Sequence, residues 1–257
     1  MSGFWLRLRR GLLGEAEAQK NRTNVVGFDG CRAGWIGCIW AGPGSSPHAA
    51  FLPSLRMAEE RLQPDVDVIA IDIPLGLQAA ASPGGRPCDQ HARRFIGPRA
   101  SSVFSPPAQG ALFSRDYEEA NRLNRASGPD APGLSKQAVA LFPKLREAEQ
   151  ALAASSWLRE RTIEVHPEVC FRAMAGQPLA HAKKRSLGKD ERRQLLTAAG
   201  FVGLHVFETD AKQAGAVTDD ALDACAAAWT AWRRSKGEAD CFPLGASGPD
   251  YSMRIWF

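Results

Sequence analysis

Residues 219–236 read DDALDACAAAWTAWRRSK. Acids open the stretch, bases close it and Gly237 follows, the charge order and stop signal of a helix. On a wheel of about 100° per residue, Leu222, Cys225, Ala226 and Trp229 form a large-residue core face. Asp220 and Asp223 fall on another face, shared with Ala224, Ala227 and Ala231. Residues three apart on a helix are neighbours, about 5–6 Å between Cβ atoms. A solvent face normally carries Lys, Glu or Gln, whereas an alanine face lets a helix lie close against a sheet. The pattern predicts a carboxylate pair turned toward a sheet rather than into water. The competing reading is that Asp219 and Asp220 cap the helix and favour its dipole. Asp219 suits that role, while Asp223 lies too deep in the helix for it.

The sheet is visible further upstream. NVVGFDGC (24–31) is a short apolar strand ending in a turn, and GWIGCIW (34–40) is its hairpin partner. HAAFLP (48–53) reads as a weaker third strand. Ser54 is placed to cap a short helix with Leu55, Ala58 and Leu62 on one face. VDVIAIDIP (66–74) is a β-branched run of buried-strand length, stopped by Pro74. The first 75 residues therefore read β-β-β-α-β. Asp29 and Asp72 each end an apolar strand. A carboxylate there is costly to desolvate unless it is paired or bound to a cation. Two such residues suggest a common site, and the alternative is that each closes a turn through its own side chain.

Composition bounds the rest. The chain has 257 residues, 44% hydrophobic and 23% charged, ordinary for a soluble globule and long enough to bury a core without staples. It has no run of 18 apolar residues, so no membrane span is expected. The formal charge is +4, and residues 1–22 carry +3 of it. Residues 1–23 read as a flexible or added tail, and residues 24–257 as a single α/β domain. The six cysteines form no C-x-x-C pair and read as reduced thiols of a cytoplasmic protein.

Residues 76–160 change character, being rich in Gly, Pro, Arg and Ser, with helical patterns near 87–96, 115–126 and 135–153. They are a helical insertion. Arg86, Arg93, Arg94 and Arg99 lie beside Ser101 and Ser102, a set of donors suited to phosphate oxygens, with Arg99, Ser101 and Ser102 the strongest part. Lys144 reads as salt-bridged surface with Glu147. Lys183 and Lys184 open a basic loop that could touch a nucleic-acid backbone. RTIEVHP (161–167) is another strand, Pro167–Gly176 a helix, KDERRQLLTAAG (189–200) another, and LHVFE (204–208) one more strand. Alternation puts Glu164 and His166 on one face, with Glu168 in the following turn. Glu164 could join a metal cluster or hold an arginine of the insertion, and His166 could shuttle protons.

Converging carboxylates repel unless a hard cation neutralises them, and oxygen-only ligands favour Mg²⁺ or Mn²⁺. Such ions activate water and stabilise a leaving oxygen at a phosphodiester. The chain lacks a P-loop, a G-x-G-x-x-G sequence and a Ser/His/Asp order.

DGCRAGW (29–35), AIDIPLGL (70–77), RPCDQHARRFIGPRASSVFSPP (86–107), GLSKQ (133–137), PKLREAE (143–149), EVHPEVCF (164–171) and DDALDACAAAWTA (219–231) closely resemble the DUF429 family, described as predicted RNase H-like nucleases of the ribonuclease H-like superfamily. The resemblance runs from about residue 24 to 236. It implies an RNase H-like mixed sheet, a three-strand antiparallel meander plus parallel strands, flanked by helices. By that resemblance Asp29, Asp72 and Asp223 match the acidic metal-holding positions, and Asp220 matches a fourth catalytic position. From the residues themselves, Glu164, His166 and Glu168 are expected to be auxiliary, and Arg99, Ser101, Ser102, Lys183 and Lys184 to contact phosphate. A compact ribonuclease H has no counterpart of the 76–160 insertion. The expectation is a Mg²⁺- or Mn²⁺-dependent nuclease or phosphodiesterase acting on DNA, RNA or a smaller phosphodiester. A non-catalytic member binding nucleic acid or protein is the alternative. An actin- or sugar-kinase-like ATPase needs two copies of the core, and the chain has length for one.

Overall fold

A computed structural model describes residues 24–245 and 253–257. The expected tail at 1–23 lies outside them. The apolar runs of the sequence become a mixed five-stranded sheet. Strand β1 (Asn24–Cys31) pairs antiparallel with β2 (Gly34–Trp40), and β2 with β3 (His48–Leu52). Ser54 caps a short 3-10 turn through the Arg56 amide, and α1 (Ala58–Leu62) follows. Strand β4 (Val66–Ile71) then lies parallel to β1, and β5 (Thr162–Glu164) parallel to β4, giving the order β3-β2-β1-β4-β5.

Residues between β4 and β5 form α2 (Pro87–Ile96), α3 (Tyr117–Ala126), α4 (Lys136–Ala140), α5 (Phe142–Ala154) and α6 (Ser156–Arg161). The single helix expected over 135–153 is two, divided at Leu141, with Pro143 in the first turn of α5, where a missing amide hydrogen costs nothing. After β5 come α7 (Pro167–Ala175), α8 (Ser186–Ala198), α9 (Leu204–Gln213) and α10 (Thr218–Ser235). Two short strands, β6 (Cys241–Phe242) and β7 (Ile255–Trp256), pair with each other.

The strand expected at 204–208 is instead the start of α9. Its buried residues are Leu204, Phe207, Glu208 and Ala211, a helical spacing that a five-residue window cannot separate from alternation. The segment opens on Gly203, whose φ of 70° suits glycine.

Alternation divides the sheet between two cores. Val25, Cys38, Ala70 and Ile163 face α10, while Val26, Phe28, Ile69 and Ile71 face α5 and α6. The alanine face of α10 does what its sequence implied. Ala224, Ala227, Ala228 and Ala231 are fully buried. A Cβ added to Gly27 of β1 would run into the α10 backbone at Ala224 and Ala228. Only glycine on the strand and alanine on the helix allow this approach, and it carries Asp223 down to the sheet. A third apolar cluster joins α2 and α7 to Phe242, Ile255 and Phe257. All six cysteine thiols are free and buried.

Candidate functional site

Parallel pairing brings the carboxyl ends of β1, β4 and β5 side by side. The Asp72 amide donates to the Phe28 carbonyl at 3.0 Å, and the Val165 amide to that of Ile71 at 3.0 Å. Asp29, Asp72 and the stretch Glu164–His166 thus leave adjacent strands at the same edge, where open α/β sheets bind ligands. A cavity of about 230 Å³ opens there. Asp29, Asp72, Glu164, His166, Glu168 and Lys183 line it, with Ser102 and Phe104 from the insertion and Lys144 from α5.

Asp29 accepts a hydrogen bond from the Gly30 amide at 2.8 Å. Burial holds its carboxyl well above the usual carboxylate range, and the charges of Asp72, Asp223 and Asp220 push it the same way. Burial also raises Asp72, against the pull of His166 and Lys183. Asp223, 3% exposed, donates its charge to an ion pair: Lys183 Nζ lies 2.8 Å from its Oδ2. Burial still pushes Asp223 up to about 6, Lys183 opposing. The three carboxylates expected to act together therefore sense one another. Lys183 moves from a solvated basic loop to the counter-charge of the cluster, and Lys184 beside it is exposed.

Asp220 is turned to another task. Its Oδ2 accepts from the Val217 amide at 3.1 Å, satisfying a backbone N–H at the start of α10. The capping role expected of Asp219 therefore belongs to Asp220. Asp219 pairs with Lys189 at 3.1 Å instead. Asp220 influences Asp29 by charge but does not line the cavity.

The arginine set of the insertion divides. Arg86 is 1% exposed and donates to Asp89, to the Leu75 carbonyl and to Glu164. It is a core cation rather than a phosphate donor. Glu164 accordingly holds an arginine of the insertion, the second of its two expected roles. Its Oε2 also accepts from the Leu75 amide at 2.7 Å, and burial lifts its carboxyl to about 7 against the opposing Arg86 charge. Arg93 binds the Val103 and Gly84 carbonyls and Ser105. Arg99 reaches Glu168 at 3.8 Å. Ser101 and Ser102 are exposed, and of the pair only Ser102 borders the cavity.

Glu168 is 4% exposed and pairs with Arg192, while its Oε2 is buried without a hydrogen-bond partner. His166 Nε2 sits 3.3 Å from the Ser102 carbonyl, and Nδ1 is buried without a partner. A carbonyl only accepts, so in the neutral ring this contact puts the hydrogen on Nε2 and leaves Nδ1 as an acceptor.

Lys144, expected on the surface, stands in the cavity wall. Its Nζ donates to the Gly34 carbonyl at 2.7 Å and lies 4.4 Å over the Trp35 ring, with Glu147 at 3.8 Å. Glu147 in turn accepts from Trp35 Nε1 and the Leu55 amide. The i,i+3 spacing of Lys144 and Glu147 suggested a solvated pair. Phe142 and Leu145 on either side were the signal that this helix edge is covered. Arg192 and Phe104 were not singled out by any motif.

Among the described residues no group of three His, Cys, Asp or Glu side chains closes into a ready metal-ligand set. The donors present nonetheless suit a hard divalent cation. Asp29, Asp72 and Asp223 offer oxygen alone, and Asp29 accepts only the amide of its own neighbour. Their mutual repulsion leaves the cluster short of positive charge, with Lys183 its hydrogen-bonded cation.

A family model described as a protein of unknown function, DUF429, matches residues 27–247. No curated protein and no solved structure matches the chain.

Proposed function

From the premise that this chain belongs to the DUF429 family, we propose that it is a metal-dependent nuclease or phosphodiesterase built on an RNase H-like sheet. The observation that carries the reading is the meeting of Asp29 and Asp72, far apart in sequence, in the wall of one cavity at the carboxyl edge of parallel strands, with Asp223 near enough to act on both by charge. The order β3-β2-β1-β4-β5, with its antiparallel meander and parallel β4 and β5, supports the fold assignment.

Asp29, Asp72 and Asp223 would hold Mg²⁺ or Mn²⁺. Such an ion, when bound, supplies an activated water and charge stabilisation at a phosphorus centre. The chain's own residues do the rest. Lys183 offsets Asp223 and presents an ammonium to a phosphate oxygen, and Lys144, also in the cavity lining, presents a second. His166 Nδ1 accepts a hydrogen bond from a water or substrate hydroxyl. The Glu168–Arg192 pair ties the start of α7 to α8 and so fixes the depth of His166. Phe104, Ile73 and Ile255 reduce the water in the cavity, which strengthens each charge–charge contact within it.

The Lys183–Asp223 ion pair favours one second reading, a non-catalytic member that binds nucleic acid with Lys183 as its resident cation. Calorimetric titration with Mg²⁺ or Mn²⁺ and a cleavage assay with the same ions separate the two. The enzyme reading expects heat of binding and strand cleavage, both lost in Asp29→Asn. If the wild type binds no divalent ion and cleaves no nucleic acid in any form, the enzyme reading fails.

A further inference from the structure

We propose that the cavity receives one unpaired nucleotide at a free strand end, so that the chain works from termini and not within a duplex. This rests on the reading of the site given above.

The carboxylates do not lie on an open sheet edge. Residues 102–104 of the insertion and Lys144 of α5 stand around Asp29 and Asp72, and Ile255 closes a further side. The space left, about 230 Å³, falls below the roughly 300–1,000 Å³ of sites that enclose drug-sized ligands. A phosphodiester within a duplex comes with rigid neighbours on both sides, which these walls would meet. At a free end only one nucleotide has to enter.

The polar groups left unpaired point the same way. Glu168 Oε2 and His166 Nδ1 are buried acceptors without donors, and such atoms are costly unless something supplies the hydrogen. Glu168 is more than nine-tenths buried; Arg192 serves its other oxygen, and Arg99 at 3.8 Å is beyond hydrogen-bond reach of Oε2. The sugar of an internal deoxynucleotide has no hydroxyl to give. A terminal one does. The half-buried Phe104 ring, in the same wall, offers a face on which one base can stack.

The test uses the whole protein with Mn²⁺ and three substrates: a linear DNA single strand, a covalently closed circle of the same sequence, and a small aryl phosphodiester. The linear strand should be shortened to mononucleotides while the circle stays intact. Placing phosphate on its terminal hydroxyls should slow the linear strand at least about tenfold. Phe104→Ala should raise KM for the linear strand about fivefold or more, as loss of one stacked base predicts. A circle nicked as fast as the linear strand overturns the end selectivity and keeps the nuclease. Hydrolysis of the aryl ester alone also overturns it, while keeping a phosphodiesterase. Failure on all three substrates overturns this inference, and failure on single- and double-stranded RNA as well overturns the reading beneath it.

Discussion

Asp29 and Asp223 are held in the fold against their preference for water. A carboxyl raised by burial binds its proton more tightly folded than unfolded. Its penalty is therefore absent below the unfolded value near 3.8 and complete above the folded one, about 6 for Asp223. Asp29 is raised further in the same direction by three neighbouring carboxylates. We expect Asp29→Asn to be more stable than wild type at pH 7 and nearly equal to it at about pH 4, the gap opening as pH rises. Each 1 kcal/mol relieved should appear as about 2–4 °C in Tm for a chain of this size. Thermal melts of both proteins across that range check the sign, and a gap that does not change with pH would refute the electrostatic account. Mn²⁺ should raise the Tm of wild type and leave Asp29→Asn where it was. Arg86 makes the opposite case. Removing it leaves Glu164 and Asp89 charged and buried, so Arg86→Ala should cost about 3–5 kcal/mol in denaturant unfolding. The sequence marked Asp29, Asp72 and Asp223 because a carboxylate at the end of an apolar strand, or inside an alanine face, is conspicuous. It preferred Arg99 to Arg86 as a phosphate donor without showing that Arg86 is a buried cation. Both are arginines in a polar segment, and burial is a property of the surroundings.

Helix α10 against β1 is the element contact on which the site depends. Gly27 lets the helix settle until Asp223 reaches the sheet edge. Gly27→Val should push α10 outward, cost about 3 kcal/mol or more through overpacking, and abolish cleavage even under conditions where the variant stays folded. Circular dichroism and a cleavage assay on the same preparation would show this. A variant of wild-type stability and activity would mean that the close approach is unimportant. Long periodic elements were the most readable, the β1–β2 hairpin and α10 above all. Short ones were not. Strands β6 and β7 are two residues each and are defined by their pairing, which no local pattern announces. The break at Leu141 and the helical state of 204–213 depend likewise on what packs against them.

For the whole molecule, charge and shape have to agree. The formal charge of +4 lies mostly in residues 1–22, and the cavity itself presents Lys144 and Lys183. Two ammonium contacts to a single strand predict a log–log salt dependence of binding near −1.4, at about −0.7 per phosphate. Fluorescence anisotropy of a labelled strand over a range of salt tests it. A slope steeper than about −4 would indicate an extended basic track instead of a pocket for one nucleotide. No helix among the described residues is long and apolar enough to cross a membrane.

By itself the sequence determined the strand order of the meander, the amphipathic last helix and the acidic residues that end β1 and β4, because hydrophobic period and the cost of a bare carboxylate are local matters. Tertiary structure alone decided which charges meet. It paired Lys183 with Asp223, buried Arg86 under Glu164, turned Asp220 into a cap and walled the carboxylates with residues 102–104 and Lys144. All but the cap, which Asp220 makes to Val217 three residues away, depend on distances between segments about 30 or more residues apart, and a chain's hydrophobic pattern does not encode them.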